Sequence, residues 1–237
     1  KCEDGSLEIA GKYTEKIFEL AHVGQAERHR PFSYEKAKND WVLQLDADEY
    51  LSEELRGNLE KFISGGTDIF DVSWSTVHKN KHNFWYHKRV LFRKSKVYFI
   101  GSSHEGVKPI HKNVRTEMTK SVLYHEPLYD NASFSTFQKK WKKWAKIHAG
   151  QLLENFGDIP KWNCDLNDWE YIQKIRIDHP IVLGMLAGTL CHSFFSLKNF
   201  AKHRKLILLK FGLLFLMYHL NLYYNLAKLK RNGKKHI

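Results

Sequence analysis

The sequence predicts an α/β protein whose second half is helical. Short β-branched and aromatic runs alternate with amphipathic stretches in the first half, and one apolar run, Trp41 to Leu45, stops at Asp46-Ala47-Asp48. From Ser133 onward apolar residues recur at helical spacing, and the chain closes in two long segments almost without charge. With 237 residues, 43% of them hydrophobic, the chain can bury one substantial core, or one domain plus an appendage, which excludes wholesale disorder. A formal net charge of +12 points to anionic partners: nucleic acid, the phosphates of a small donor, or an acidic membrane surface. Cys2, Cys164 and Cys191 are far apart and form no CxxC pair, so neither a disulfide framework nor a zinc knuckle is indicated, and a reducing compartment fits.

The elements follow in order. Leu7, Ile9, Ala10, Tyr13 and Ile17 recur at a spacing near 3.6, with Asp4 placed to cap the start, so a helix is expected from Ser6 to Leu20, then a short strand. Phe32 to Ala37 reads as helical, and Trp41 to Leu45 as a buried strand. Ser52 with Leu55, Leu59 and Phe62 predicts a capped amphipathic helix that ends at Gly65-Gly66. Ile69 to Val77 and Arg89 to Phe92 read as strands, with the polar residues 79–83 as a hairpin loop. This order suggests a sheet of parallel strands, whose ligands gather beyond the strands' carboxyl ends.

Further on, Phe137, Trp141, Trp144 and His148 share one helical stripe among five lysines. That composition suits a membrane-interface helix, nucleic-acid stacking, or an ordinary packed helix whose aromatic stripe is core. No recognised nucleic-acid motif accompanies it. The apolar segments Pro180 to Leu197 and Leu206 to Ala227 approach bilayer-spanning length, but the loop between them carries Lys198, Lys202, Arg204 and Lys205. Helices lying in the interface or packed on the preceding domain are therefore preferred, with the basic tail from Lys228 to Lys235 adding attraction to anionic lipid. His78, His82 and His87 flank the expected loop and read as solvated rather than as a zinc site.

Two aspartates flanking one small residue after a strand place two carboxylates where a hard divalent cation can bridge them and a diphosphate. A solvated turn is the alternative. Context favours the former: Glu3-Asp4-Gly5-Ser6-Leu7-Glu8-Ile9-Ala10, then Arg30 ahead of Ala37, Asp40 to Glu49, Arg89-Val90-Leu91-Phe92-Arg93, Gly101 with His104-Glu105, and His125 before a helix. In this order and spacing the chain resembles the family 2 glycosyltransferases, particularly the bacterial branch that builds lipopolysaccharide core and related surface glycans. The resemblance covers residues 1 to 144.

The resemblance implies a nucleotide-binding GT-A fold over residues 1–129, and the composition places a helical, basic and apolar region over 130–237 after it. It implies transfer of a sugar, with inversion, from a nucleotide diphosphate sugar such as a UDP sugar to a glycan or lipid-linked acceptor, with Mg²⁺ or Mn²⁺. Carried onto this sequence, Asp46 and Asp48 hold metal and diphosphate and His125 is a third metal ligand. Arg30 faces the nucleotide, Asp4 belongs to the donor-binding segment, and Glu105 is the candidate base. A glutamate beside His104 below an apolar strand could have a raised pKa, whereas its bland role is an ion pair with Lys108. Pro31 stands where the family usually has asparagine, so Arg28 is an equal candidate for the nucleotide contact. The family's first strand, first helix and second strand would precede Lys1, so the chain is expected to be either a piece of a longer protein, the favoured reading because the remaining motifs look undamaged, or a degenerate member that cannot hold its donor. Together with the apolar segments and the basic tail, this reading places the chain peripherally on the cytoplasmic face of the inner membrane.

Two other readings compete. Haloacid dehalogenase-like phosphatases also place DxD after an apolar strand, but Tyr50 stands where they usually carry Thr or Val. A noncatalytic membrane- or nucleic-acid-binding module with a vestigial DxD fits the charge.

Overall fold

The computed structural model describes residues 3–78, 81–103, 105–130, 133–176, 181–204 and 206–231. The first helix, α1 (Ser6–Gly11), is shorter than its apolar spacing suggests. Residues 12–24 follow without helix or strand, and Ile9, Tyr13 and Phe18 are exposed. A helix this short lacks the packed face that would sustain it. A 3₁₀ turn, Ala26–His29, leads into α2 (Arg30–Lys36), where Pro31 at the helix start needs no N–H partner.

Two short strands, β1 (Trp41–Leu43) and β2 (Glu49–Leu51), flank the Asp-Ala-Asp segment. Helix α3 (Glu53–Ser64) starts as expected, the Ser52 side chain accepting from the Leu55 N–H at 3.1 Å, and ends at Gly65. Strands β3 (Ile69–His78) and β4 (Lys81–Arg93) form the hairpin, with β4 beginning inside the stretch that reads as loop. β5 (Val97–Ile100), β6 (Lys108–Pro109) and the long β7 (Thr116–His125) complete the first part.

The protein is mixed α/β, built on a curled five-stranded sheet of order β1-β4-β3-β7-β2. The parallel sheet expected from the element order is not what forms: β3 and β7 are parallel, while β1–β4, β3–β4 and β2–β7 are antiparallel. The polar link between β3 and β4 is too short for the crossover that parallel neighbours require, so it closes a hairpin. β1 is correspondingly an edge strand, half-buried throughout rather than buried. Two clusters pack the sheet: Leu55, Val72, Val90 and Leu123 beneath α3, and Tyr34, Ile69, Phe92, Val97, Phe99 and Val107 beneath α2.

Beyond β7 the chain is helical: α4 (Phe134–Thr136), a π-helical turn Phe137–Trp141, α5 (Lys142–Gln151), α6 (Leu166–Arg176), α7 (Ile181–His203) and α8 (Leu206–Arg231). The Phe137–Trp141–His148 stripe is core, for Phe137, Trp141, Ala145 and Ala149 pack against Leu214, Tyr218, Leu222 and Leu226 of α8. Its lysines 139, 142, 143 and 146 stay in water. This region also returns a strand to the first part: β8 (Lys161–Trp162) pairs with β5, and Ile159, Trp169 and Ile172 close over Ile100. At Gly101 a Cβ would meet the Pro160 oxygen at 2.8 Å, so this close backbone approach requires glycine. Among the described residues no helix is long and apolar enough to cross a membrane.

Ser52→Ala should lower the unfolding free energy by about 1 kcal/mol in urea titration, with Ser52→Asp keeping most of it, because the cap is a side-chain oxygen on an N-terminal N–H.

Candidate functional site

The segment from Gln44 to Asp48 links β1 to β2, which lie at opposite edges of the sheet, and so passes across the end of the strands between them. Backbone bonds fix its course. Gln44 N–H donates to Val90 O at 2.7 Å, Glu49 N–H to Asp46 O at 3.0 Å, and Glu126 N–H to Asp48 O at 2.8 Å. Tyr34, on the buried face of α2, donates its hydroxyl to the Gln44 side-chain oxygen.

Asp46 faces two cations. Arg30 Nη2 donates to its Oδ1 at 3.0 Å, and Lys88 Nζ to its Oδ2 at 2.9 Å. Burial alone would raise the Asp46 carboxyl, but Lys88 and then Arg30 outweigh it and hold the group below the ordinary carboxylate value. Lys88 also donates to Glu49, whose side chain is 0% exposed. The same Glu49 accepts from Trp74 Nε1 at 2.7 Å and from the Asp46 N–H at 3.0 Å. Glu49 therefore clamps the Asp46 backbone while sharing a lysine with its side chain.

Asp48 pairs with His125, Oδ2 to Nε2 at 3.2 Å. The imidazole stacks on Trp74, ring centroids 4.5 Å apart, and its Nδ1 is 3.4 Å from Thr76 Oγ1. Register explains the grouping, since His125 stands opposite Glu49 on β2 and opposite Thr76 on β3. Burial lowers the His125 pKa below 6.5, with Lys88 acting the same way, against the upward pull of Asp48 and Glu49. The ring is thus neutral near pH 7.

The sequence's site residues divide accordingly. Arg30 meets Asp46 and His125 meets Asp48. Arg28 is committed elsewhere, its Nη1 donating to both carboxylate oxygens of Glu154 at 2.8 and 3.0 Å, which ties the segment before α2 to the helical region. Asp4 is exposed and accepts the Ser6 N–H at 3.2 Å from one residue ahead of Gly5, which is the N-cap of α1, so it does not occupy the cap position expected for it. Glu105 is buried on the loop after β5 and pairs with Lys108 at 2.7 Å, the bland role weighed for it. His104 lies outside the described residues, as do the side chains of His78 and His82, while His87 is exposed. Lys88, Glu49, Trp74 and Thr76 escape sequence reasoning. Strand alternation places Trp74 and Thr76 on one face, but only the cross-strand register brings Lys88 to them.

A cation would fit Asp48 and His125. Two ligand atoms at about 2.1 Å from a metal and at right angles are roughly 3 Å apart, close to the spacing found here. Without an ion the 3.2 Å contact needs the ring proton on Nε2, donated to Asp48; a bound cation would displace it, and the ring, turned to its Nδ1–H tautomer with the Thr76 hydroxyl 3.4 Å away, would then offer the Nε2 lone pair. Asp46 fits less directly, both of its oxygens being engaged by cations. Among the described residues, no group of three or more His, Cys, Asp or Glu side chains is gathered around one point. No protein-family model matches this chain, and no curated protein does.

Glu49→Gln should destabilise the protein by about 2 kcal/mol in urea titration, since Lys88 loses one of two anionic partners. In a double-mutant cycle with Lys88→Met the two losses should fail to add. For His125, the unfolded ring takes up a proton as pH falls through 6.5 and the folded ring does not. Its contribution to stability is therefore whole above 6.5 and declines until pH has passed the lower folded pKa. The stability advantage of the wild type over His125→Asn should shrink on going from about pH 7.5 to about pH 5.5; an advantage that grows instead would mean a charged His125–Asp48 pair.

Proposed function

We propose that this chain carries the donor-side machinery of a glycosyltransferase, acting on a nucleotide diphosphate sugar within a GT-A-like domain over residues 1–129. The observation that carries the reading is the pairing of Asp48 with a neutral His125 directly beside Asp46, Arg30 and Lys88. An imidazole and a carboxylate suit Mn²⁺ or Mg²⁺, and two cations next to them suit the phosphates of the donor. The half-exposed Asp-Ala-Asp segment and the resemblance of the sequence to family 2 glycosyltransferases support the same assignment.

In this reading Asp48 and His125 hold the divalent ion, whose chemistry is to offset the charge gathering on the departing diphosphate. Arg30 and Lys88 add fixed positive charge. Donor phosphates compete with Asp46 for them, so Asp46 either retains one cation or turns toward the nucleotide. The acceptor hydroxyl oxygen bonds to the anomeric carbon as that carbon's bond to the phosphate oxygen breaks, which inverts the centre. Glu105 receives the hydroxyl proton, provided the acceptor draws it from Lys108. The acceptor is a glycan or lipid-linked sugar in surface polysaccharide synthesis.

Calorimetric titration with UDP and with GDP, each with and without Mn²⁺, tests the reading. Mn²⁺-dependent binding should vanish in Asp48→Ala and persist, weakened, in Arg30→Met. Binding that keeps its metal dependence in Asp48→Ala would remove the assignment.

A further inference from the structure

The helical hairpin α7–α8 has two unlike sides. Inward, α8 buries Leu214, Tyr218, Leu222 and Leu226 against α5, and α7 meets α8 through Gly184 and Gly188. A Cβ at Gly184 would come within 2.8 Å of the Tyr223 ring, so the two helices approach closely there. Outward, α7 exposes Leu183, Leu186, Leu190, Phe194 and Leu197, each between 53% and 71% open. Their spacing of three and four residues makes one continuous stripe along the helix. Leu213 and Tyr224 extend apolar surface along the exposed side of α8. Single exposed leucines are ordinary on any surface, but a stripe of five in register is a contact face.

Charge selects what the face meets. After Pro180 the sequence contains no Asp or Glu, against ten Lys and Arg. Lys198 and Arg204 are exposed at the turn of the hairpin, Lys228 and Arg231 near its other end. A second copy docking stripe to stripe would bring two acid-free cationic hairpins together, which their charges oppose. Nucleic acid would satisfy the cations and leave Phe194 and the leucines in water. An anionic bilayer satisfies both, its acyl boundary taking the stripe and its phosphates the cations at either end.

We propose that the α7–α8 hairpin lies in the plane of an anionic lipid surface, with Leu183, Leu186, Leu190, Phe194 and Leu197 sunk below the headgroups and Lys198, Arg204, Lys228 and Arg231 at the phosphates. This assignment is independent of the transfer chemistry and stands or falls without it.

Sedimentation of the full chain with vesicles tests it, using phosphatidylcholine alone and phosphatidylcholine mixed with phosphatidylglycerol. The wild type should sediment with the mixed vesicles, far less with the neutral ones, and should be released by salt. Leu190→Gln, Phe194→Gln and Leu197→Gln together should weaken partitioning by up to roughly tenfold for each side chain, without change in thermal melting. If the triple variant folds poorly, Phe194→Gln alone carries the comparison. Lys198→Glu with Lys228→Glu should weaken binding to the mixed vesicles alone. The proposal is overturned if the wild type ignores phosphatidylglycerol, or if the glutamine variants bind as the wild type does. It is equally overturned if, without lipid, the wild type is a dimer that the glutamine variants turn into monomer, since a second copy then covers the stripe.

Discussion

The geometry of the candidate site depends on how little chain joins β1 to β2. In a flat sheet of this order the two edge strands stand four spacings apart, about 19 Å at some 4.8 Å each. From Leu43 to Glu49 a fully extended chain reaches roughly 21 Å at best. The link is not fully extended, because Glu49 N–H turns back to Asp46 O. The sheet must therefore curl until its edges approach, and the link becomes a strap over the ends of the strands it crosses. Register shifts along β3, between Phe70 and Asp71 and between Trp74 and Ser75, supply local bends of the kind a curled sheet needs.

Once the strap lies there, chemistry follows from which side chains the strands present beneath it. β3 supplies Trp74 and Thr76, β4 supplies Lys88, β7 supplies His125, and α2 supplies Arg30 from the side. Glu49 is the pivot. A carboxylate with no exposed surface is costly unless its lone pairs are met, and here a lysine, an indole N–H and a backbone N–H meet them. The consequence is a division of labour between the two aspartates, set by their partners rather than by burial, since their side chains are 37% and 40% exposed: Asp46 is held between two cations, while Asp48 meets an imidazole.

The local features were legible in the sequence and the long-range ones were not. Ser52 capping α3, the Gly65 stop, the β3–β4 hairpin strands and the α/β class all follow from signals within a few residues. Asp-Ala-Asp was visible because it interrupts an apolar run, and Arg30 and His125 were visible through resemblance. Strand direction was not legible, since alternation of strand and helix takes no account of which strands become neighbours. Nor was the fate of Arg28, for Glu154 lies 126 residues away in sequence. Trp141 and Trp144 illustrate a different limit. Composition could not tell a lipid-facing aromatic stripe from a core one, and the answer came from α8, whose apolar face claims Trp141. The residues left for a lipid surface are on α7, where the stripe holds no tryptophan.

The strap and the hairpin are mechanically joined. Arg28, immediately before the helix that carries Arg30, grips Glu154 just past α5, and α5 is the surface on which α8 packs. β8 pairs with β5, so the helical region is also stitched into the sheet side. A hairpin fixed in the plane of a bilayer would consequently fix the tilt of the sheet and the direction in which Asp48 faces. For the proposed donor, a soluble nucleotide sugar, this orientation would matter little. For the proposed acceptor, confined to the lipid surface, it would convert a search in three dimensions into one in two, the constraint passing through the Arg28–Glu154 pair together with the β5–β8 pairing. Breaking that pair while leaving the stripe intact should spare vesicle binding and loosen the relation between the two parts, which is the behaviour of a hinge rather than of an anchor.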